Sequence, residues 1–222
     1  MRDEMIRWGV PEDRISILHN AVDTELFRPD LEGVDEVLAK YGVEKPYCLF
    51  VGQLFPRKGV RYLIKALSGV KGLNCVIVGG GPDLLTLKRL AAQRGLSGRV
   101  VFTGNVPLED LRRLYAGAYF FVLPSTAEGL PLVVLEALSS GLPVIASRVA
   151  AVTDVIIDGR NGFTFEPRNW RELAGKMRML LEDESLRDLM AKEARRIAKA
   201  YYSWEAHTVR LIHIYNKVLG RS

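Results

Sequence analysis

YCLFVGQLFPRKGVRYLIKALSGVKGLNCVIV, residues 47–78, decides the fold. It opens on YCLFV (47–51) and closes on CVIV (75–78), two apolar runs without alternation, as expected of strands covered on both faces. Between them, residues 60–69 repeat apolar positions at helical spacing. A strand, a helix and a strand of these lengths form a βαβ unit with parallel strands. Working outward, the alternation continues. Strands are predicted at 100–103 (VVFT), 119–123 (YFFVL), 143–147 (PVIAS) and 162–165 (GFTF), and upstream at 14–18 (RISIL). Helices are predicted at 82–94, 109–116, 131–140 and 151–157. The sequence therefore predicts an α/β fold, a Rossmann-like doubly wound parallel sheet that binds ligands beyond the carboxyl ends of its strands.

After residue 168 the pattern changes to a helical C-terminal segment: Trp170 to Glu182, Ser185 to Ala200 and Trp204 to Leu219, with no strand between. Leu173, Met177, Leu180 and Leu181 form one apolar stripe, and Leu211, Ile214, Tyr215 and Val218 a second. Both are expected to face the core, the last with a neighbour outside the chain as its alternative. Pro29 to Gly33 is the hinge-like break near the front, and MRDEMIRW (1–8) reads as the tail of a helix.

The 222 residues suffice for one sizeable core. Lys and Arg number 31 against 26 Asp and Glu, a net charge of +5 spread along the chain. That suits an anionic small ligand or a membrane surface and supplies no nucleic-acid track. No apolar run approaches the ~20 residues of a membrane-spanning helix. The front lacks a signal-peptide pattern, so a cytoplasmic location is expected. Cys48 and Cys75 lie in β-like runs without CxxC spacing and are expected to be buried thiols. There is no GxSxG elbow, zinc spacing or DxD metal motif, and no cofactor is expected. His19, His207 and His213 are scattered and are assigned structural roles.

Three stretches carry chemistry. In VGQLFPRKGVRYLIKAL (51–67), Gly52 and Gln53 follow a strand, and Arg57 and Lys58 precede a helix whose free N–H groups suit a diphosphate. A solvated basic loop capping a helix would read the same. In PSTAEGLPLVVLEALSSGLPVIAS (124–147), Glu128 and Glu136 stand across a Gly129-Leu130-Pro131 turn. At that spacing they do not converge on one bond as an acid/base pair would. They are placed to hold different parts of one extended ligand, and Glu136 inside LVVLEAL needs a partner. VGGGPDLLTLKRLA (78–91) resembles half of a dinucleotide fingerprint. Leu84 stands in place of its third glycine, and no acid ends the next strand, so a tight turn beside the cleft is the better reading.

Together these residues resemble the C-terminal, donor-binding domain of GT-B glycosyltransferases, in the retaining group known as glycosyl transferases group 1 or family four. The resemblance runs from HNAVDTELFRP (19–29) through VGQLFPRKG (51–59), VGGGP (78–82), FTGNV (102–106), 124–147 and DGRNGFTFEP (158–167) to YYSW (201–204). It implies that Lys58 contacts the donor diphosphate and that Glu128 holds hydroxyls of the transferred sugar, these two being the catalytic pair. It implies that Glu136 receives the ribose hydroxyls, that Gly129 and Leu130 offer backbone N–H groups, and that Val106 lies at the nucleobase. Gly52, Gln53 and Arg57 complete the donor set, with a UDP- or GDP-sugar as substrate and no metal. Three positions depart from the family pattern: Gln53 where Arg is usual, Ala150-Ala151 where a glycine pair is usual, and Asn20-Ala21 for Asn-Gly.

The resemblance also implies a partner, the N-terminal acceptor domain of such enzymes. On this reading residues 1–13 are a remnant of the interdomain link, and 204–219 is the helix that crosses back to the front domain. The missing half would supply any peripheral membrane contact, placing the protein at the inner face of a membrane. The chain alone is expected to bind nucleotide without turnover. Two other functions remain open on the sequence: a non-catalytic binding module, for which Gln53 and Ala150-Ala151 speak, and a GT-B-like nucleotide-sugar epimerase. A nicotinamide oxidoreductase is a distant third.

Overall fold

A computed structural model describes residues 2–129, 131–149 and 152–220. Six strands form one sheet: β1 (Tyr47–Val51), β2 (Asn74–Val78), β3 (Val100–Gly104), β4 (Phe120–Leu123), β5 (Val144–Ser147) and β6 (Gly162–Phe165). The order is β3-β2-β1-β4-β5-β6, and every pair is parallel. β1 therefore lies between β2 and β4, and the order reverses there. This is where a doubly wound sheet opens a crevice beyond its strand ends.

The helices are α1 (Arg2–Arg7), α2 (Val34–Tyr41), α3 (Val60–Leu67), α4 (Leu84–Gln93), α5 (Leu108–Gly117), α6 (Leu132–Ser139), α7 (Trp170–Glu182), α8 (Glu184–Tyr201) and α9 (Trp204–Val218). α3 packs on α4 and α7, while α6 packs on β4, β5 and α8, so helices cover both faces of the sheet. That explains the unalternated strands: all of Phe120–Leu123 and Val144–Ser147 is buried. α3 buries Val60, Leu63, Ile64 and Leu67, the stripe read from its sequence. Cys48 and Cys75 are buried free thiols in register on β1 and β2.

Three expectations are corrected. RISIL (14–18) is not a strand: Glu12–Arg14 is a single 3₁₀ turn and the following residues pair with no strand. Its alternation has no buried face to serve, for Ile17 is 55% exposed. The helix expected at 151–157 is, in its described part, one turn. Val152, Val155 and Ile156 are buried at helical spacing, but the Asn161 side chain accepts from Ile157 N (2.7 Å) and donates to Val155 O (2.9 Å), ending the turn. The second stripe is not core: Tyr215 and Val218 are 60% and 77% exposed, and no residue of α9 is buried. The first stripe holds, with Leu173, Met177 and Leu180 fully buried. α2 follows the Pro29–Gly33 break and was not anticipated.

The front of the chain is strapped to its end. Val22 N donates to Tyr202 O (2.8 Å). The Arg195 guanidinium on α8 donates through Nη1 to the carbonyls of Thr24 (2.6 Å), Phe27 (2.9 Å) and Ser139 (2.7 Å). The His19 carbonyl lies 2.9 Å from His207 Nδ1 on α9. Among the described residues no helix is long and apolar enough to cross a membrane.

Candidate functional site

The loops that leave β1, β2, β3 and β4 meet at the carboxyl end of the sheet, beside the point where the strand order reverses. Backbone hydrogen bonds join them: Gly52 N to Val78 O (3.0 Å), Leu54 N to Gly80 O (2.8 Å), Gly79 N to Gly104 O (2.8 Å) and Thr126 N to Arg57 O (2.8 Å). Two glycines make this approach possible. Gly59 has φ +67° and Gly79 φ +123°; a Cβ would stand 1.9 Å from Pro124 O at Gly59 and 2.1 Å from Gly52 O at Gly79. The VGGG stretch is thus the tight turn expected beside the cleft.

Lys58 ends a 3₁₀ turn, Pro56–Lys58, whose C-cap Gly59 is also the N-cap of α3. Its Nζ lies 2.6 Å from Glu128 Oε1, with the two side chains 17% and 7% exposed. The hydroxyl of Ser125, which is fully buried, donates to the same oxygen at 2.6 Å. Both donors thus hold one carboxylate oxygen, and among the described residues Oε2 has no hydrogen-bond donor. Arg57 and Gln53 are exposed on the same loop, Gly129 is exposed beyond Glu128, and Val106 is half-buried just after β3. Leu130, and likewise Ala150 and Ala151, lie outside the described residues.

Glu136 sits in the second turn of α6, half-buried, on the same loop–helix unit as Glu128. It does not join the Lys58–Glu128 pair. Its Oε2 accepts 2.9 Å from the hydroxyl of Tyr115 on α5, the partner that a carboxylate in LVVLEAL requires. Burial pushes the Glu136 carboxyl above its ordinary value, and the Tyr115 hydrogen bond partly opposes the shift. Ser125 and Tyr115 did not enter the sequence reading. Ser125 carried a usable signal, a hydroxyl three residues before Glu128 at the end of a strand, whereas Tyr115 meets Glu136 only where its hydroxyl, near the end of α5, reaches α6.

The raised carboxyl fixes a pH dependence. Between its ordinary value, 4.5, and its raised one, the native state binds more protons than the unfolded chain, so Glu136 lowers stability as pH rises through that window. Above it the penalty is complete; well below it both states are protonated. Glu136→Gln is therefore expected to raise the melting temperature at pH 8 and leave it nearly unchanged at pH 4. Scanning calorimetry at the two pH values checks this, and an equal shift at both would contradict it.

Chemically, the site offers an ammonium and the amino end of α3 to an anion, and two carboxylates, each half-coordinated, to hydroxyl donors. Among the described residues no group of three or more His, Cys, Asp or Glu could hold a metal ion.

Comparison with known proteins bears on the family and the fold. The family model described as glycosyl transferases group 1 matches residues 35–197. Alpha-D-kanosaminyltransferase of Streptomyces kanamyceticus is 34% identical over 98% of the chain and 58% of its own length. The sulfoquinovosyl transferase SQD2 of Arabidopsis thaliana is 32% identical over 95% of the chain and 41% of its own length. The chain therefore spans about half the length of these curated relatives. A structure of HepE from Anabaena in complex with UDP superposes with a TM-score of 0.91 at 23% identity, over 97% of this chain and 61% of that one.

Proposed function

From the premise that the chain belongs to the glycosyl transferases group 1 family, we propose that it is the nucleotide-sugar-binding portion of a retaining hexosyltransferase. The donor is a UDP- or GDP-sugar. Lys58, with Arg57 and the amides opening α3, holds the diphosphate and stabilises the charge that develops on the leaving phosphate. Glu128 holds hydroxyls of the transferred sugar through its uncoordinated oxygen, and Glu136 receives the ribose hydroxyls. Val106 lies at the base, and Gly52, Gln53, Gly129 and Leu130 complete the lining. Attack occurs on the face from which the phosphate departs, and the phosphate takes the acceptor proton, so the enzyme needs no protein nucleophile. The acceptor lies on an N-terminal domain that faces this one, with residues 1–13 and 204–219 at the junction. Any membrane contact belongs to that domain.

The observation that carries the reading is the junction of the β1 and β4 loops at the switch point of the sheet, where Lys58 and Glu128 meet. Titration calorimetry of the chain with UDP, GDP and ADP tests it. Binding of UDP or GDP without sugar release from the sugar nucleotide is expected; no heat from any of the three at millimolar concentration overturns the reading.

A further inference from the structure

We infer that Tyr115 is a positioning residue for Glu136: its hydroxyl fixes one carboxylate oxygen and aims the other at the ribose, so that recognition of the sugar hydroxyls depends on a tyrosine that never meets the nucleotide. The inference rests on the ribose role proposed for Glu136. Tyr115 is 0% exposed. Its ring is held edge-on by Phe27 at 5.7 Å and against Phe121 at 5.8 Å, which leaves the side chain little rotational freedom.

A hydroxyl has one proton to donate. Val133 O lies 3.4 Å away and Glu136 Oε2 2.9 Å, and the shorter, charge-assisted bond takes it. Oε1 receives no hydrogen bond from any described residue, so the carboxylate is held at one oxygen and available at the other. The opposite arrangement, with both oxygens bonded internally, would rigidify α6 and leave nothing for a ligand.

Among the described residues no other charge competes for this carboxylate. On α5, Arg112 and Arg113 pair with Glu109, and Asp110 binds Lys40 and Tyr41 of α2. On α8, which packs on α6, Arg195 donates to three backbone carbonyls and faces Glu25. Lys58 and Glu128 are bound to each other, and β4 and the rest of α6 are uncharged.

The test compares the wild-type chain, Tyr115→Phe and Glu136→Gln. Calorimetry measures the preference for UDP and GDP over their 2′,3′-dideoxy counterparts. The wild type is expected to prefer the ribonucleotide, and Tyr115→Phe to lose about five- to tenfold of that preference, the net effect of one typical hydrogen bond. Affinity for the dideoxy compounds should be unchanged, and Glu136→Gln should abolish the preference. In Tyr115→Phe burial acts unopposed, so the acid loss of ribonucleotide affinity should move to higher pH. The terminal phosphate titrates alike in all three proteins and drops out of the difference.

A purely structural tyrosine would change the melting temperature and leave both preference and pH profile intact; that result overturns the inference. If the wild type shows no ribose preference, the proposed role of Glu136 fails instead. The positioning claim is then read from the carboxyl carbon resonance of Glu136, whose titration should rise in Tyr115→Phe. An unmoved titration overturns it.

Discussion

Gly59→Ala is expected to lower the melting temperature by about 10 °C and to abolish nucleotide binding. The methyl group would stand 1.9 Å from Pro124 O and 2.8 Å from Pro124 C, and both are backbone atoms that cannot step aside alone. Relief requires the β1 and β4 loops to part, and with them Lys58 and Glu128. The left-handed φ of +67° adds about 1 kcal/mol of its own. Together the two effects exceed ~3 kcal/mol, and each kcal/mol moves the melting temperature of a chain this size by about 2–4 °C. Gly42 provides the matched control. It ends α2 with nearly the same φ, +63°, but a Cβ there meets nothing within 4 Å. Gly42→Ala should lower the melting temperature by only about 2–4 °C and spare binding. Equal losses in the two variants would show that the close approach to Pro124 carries no energy.

Lys58→Ala is expected to have the largest effect on chemistry. If Lys58 holds the donor diphosphate as proposed, turnover by a full-length transferase carrying this domain should fall roughly 10²- to 10³-fold, the typical loss when one preorganised donor to a developing oxyanion is removed. In this chain, affinity for UDP or GDP should fall sharply while affinity for the free nucleoside is kept. The variant has a second consequence. Glu128, 7% exposed, would lose its ionic partner and keep, among the described residues, only Ser125 as a donor, so stability should fall by about 1–3 kcal/mol. Adding Glu128→Gln removes the orphaned charge and should restore stability but not diphosphate affinity. Calorimetry and thermal melts of the single and double variants separate the two effects. Unchanged diphosphate affinity in Lys58→Ala would remove it from the donor site.

The sheet was legible because its strands are short, mostly apolar runs rich in β-branched and aromatic residues: YCLFV and GFTF were placed to the residue, and the other four within one. RISIL has the same propensity, but propensity cannot say whether a sheet edge waits to receive it. Val152, Val155 and Ile156 have the spacing of a helix, and only the folded position of Asn161 shows why the turn stops there. α2 was missed because eight residues with two buried apolar positions, Val37 and Leu38, make a faint pattern. At the site, Lys58 and Glu128 stand out as charges beside glycine turns, and the structure brings them together across 70 residues. Glu136 announced its need for a partner without naming it. Tyr115 sits in LRRLYAG like any core aromatic, and its hydroxyl gains meaning only where the fold brings it to Glu136 on α6.

The strap between the front and the end of the chain also sets an order of events during synthesis. The carbonyls of Thr24 and Phe27 leave the ribosome 171 and 168 residues before Arg195, the side chain that binds them. At 5–20 residues per second the front segment waits roughly 10–30 s for its ligand. Over that interval β1 to β6 can assemble in sequence, each strand beside one already made or soon to follow. The stretch around 22–27 meanwhile exposes carbonyls and apolar side chains without their final cover. The last helices therefore close the domain in time as well as in space, and a chain halted before α8 would hold most of its sheet and leave its beginning unfastened.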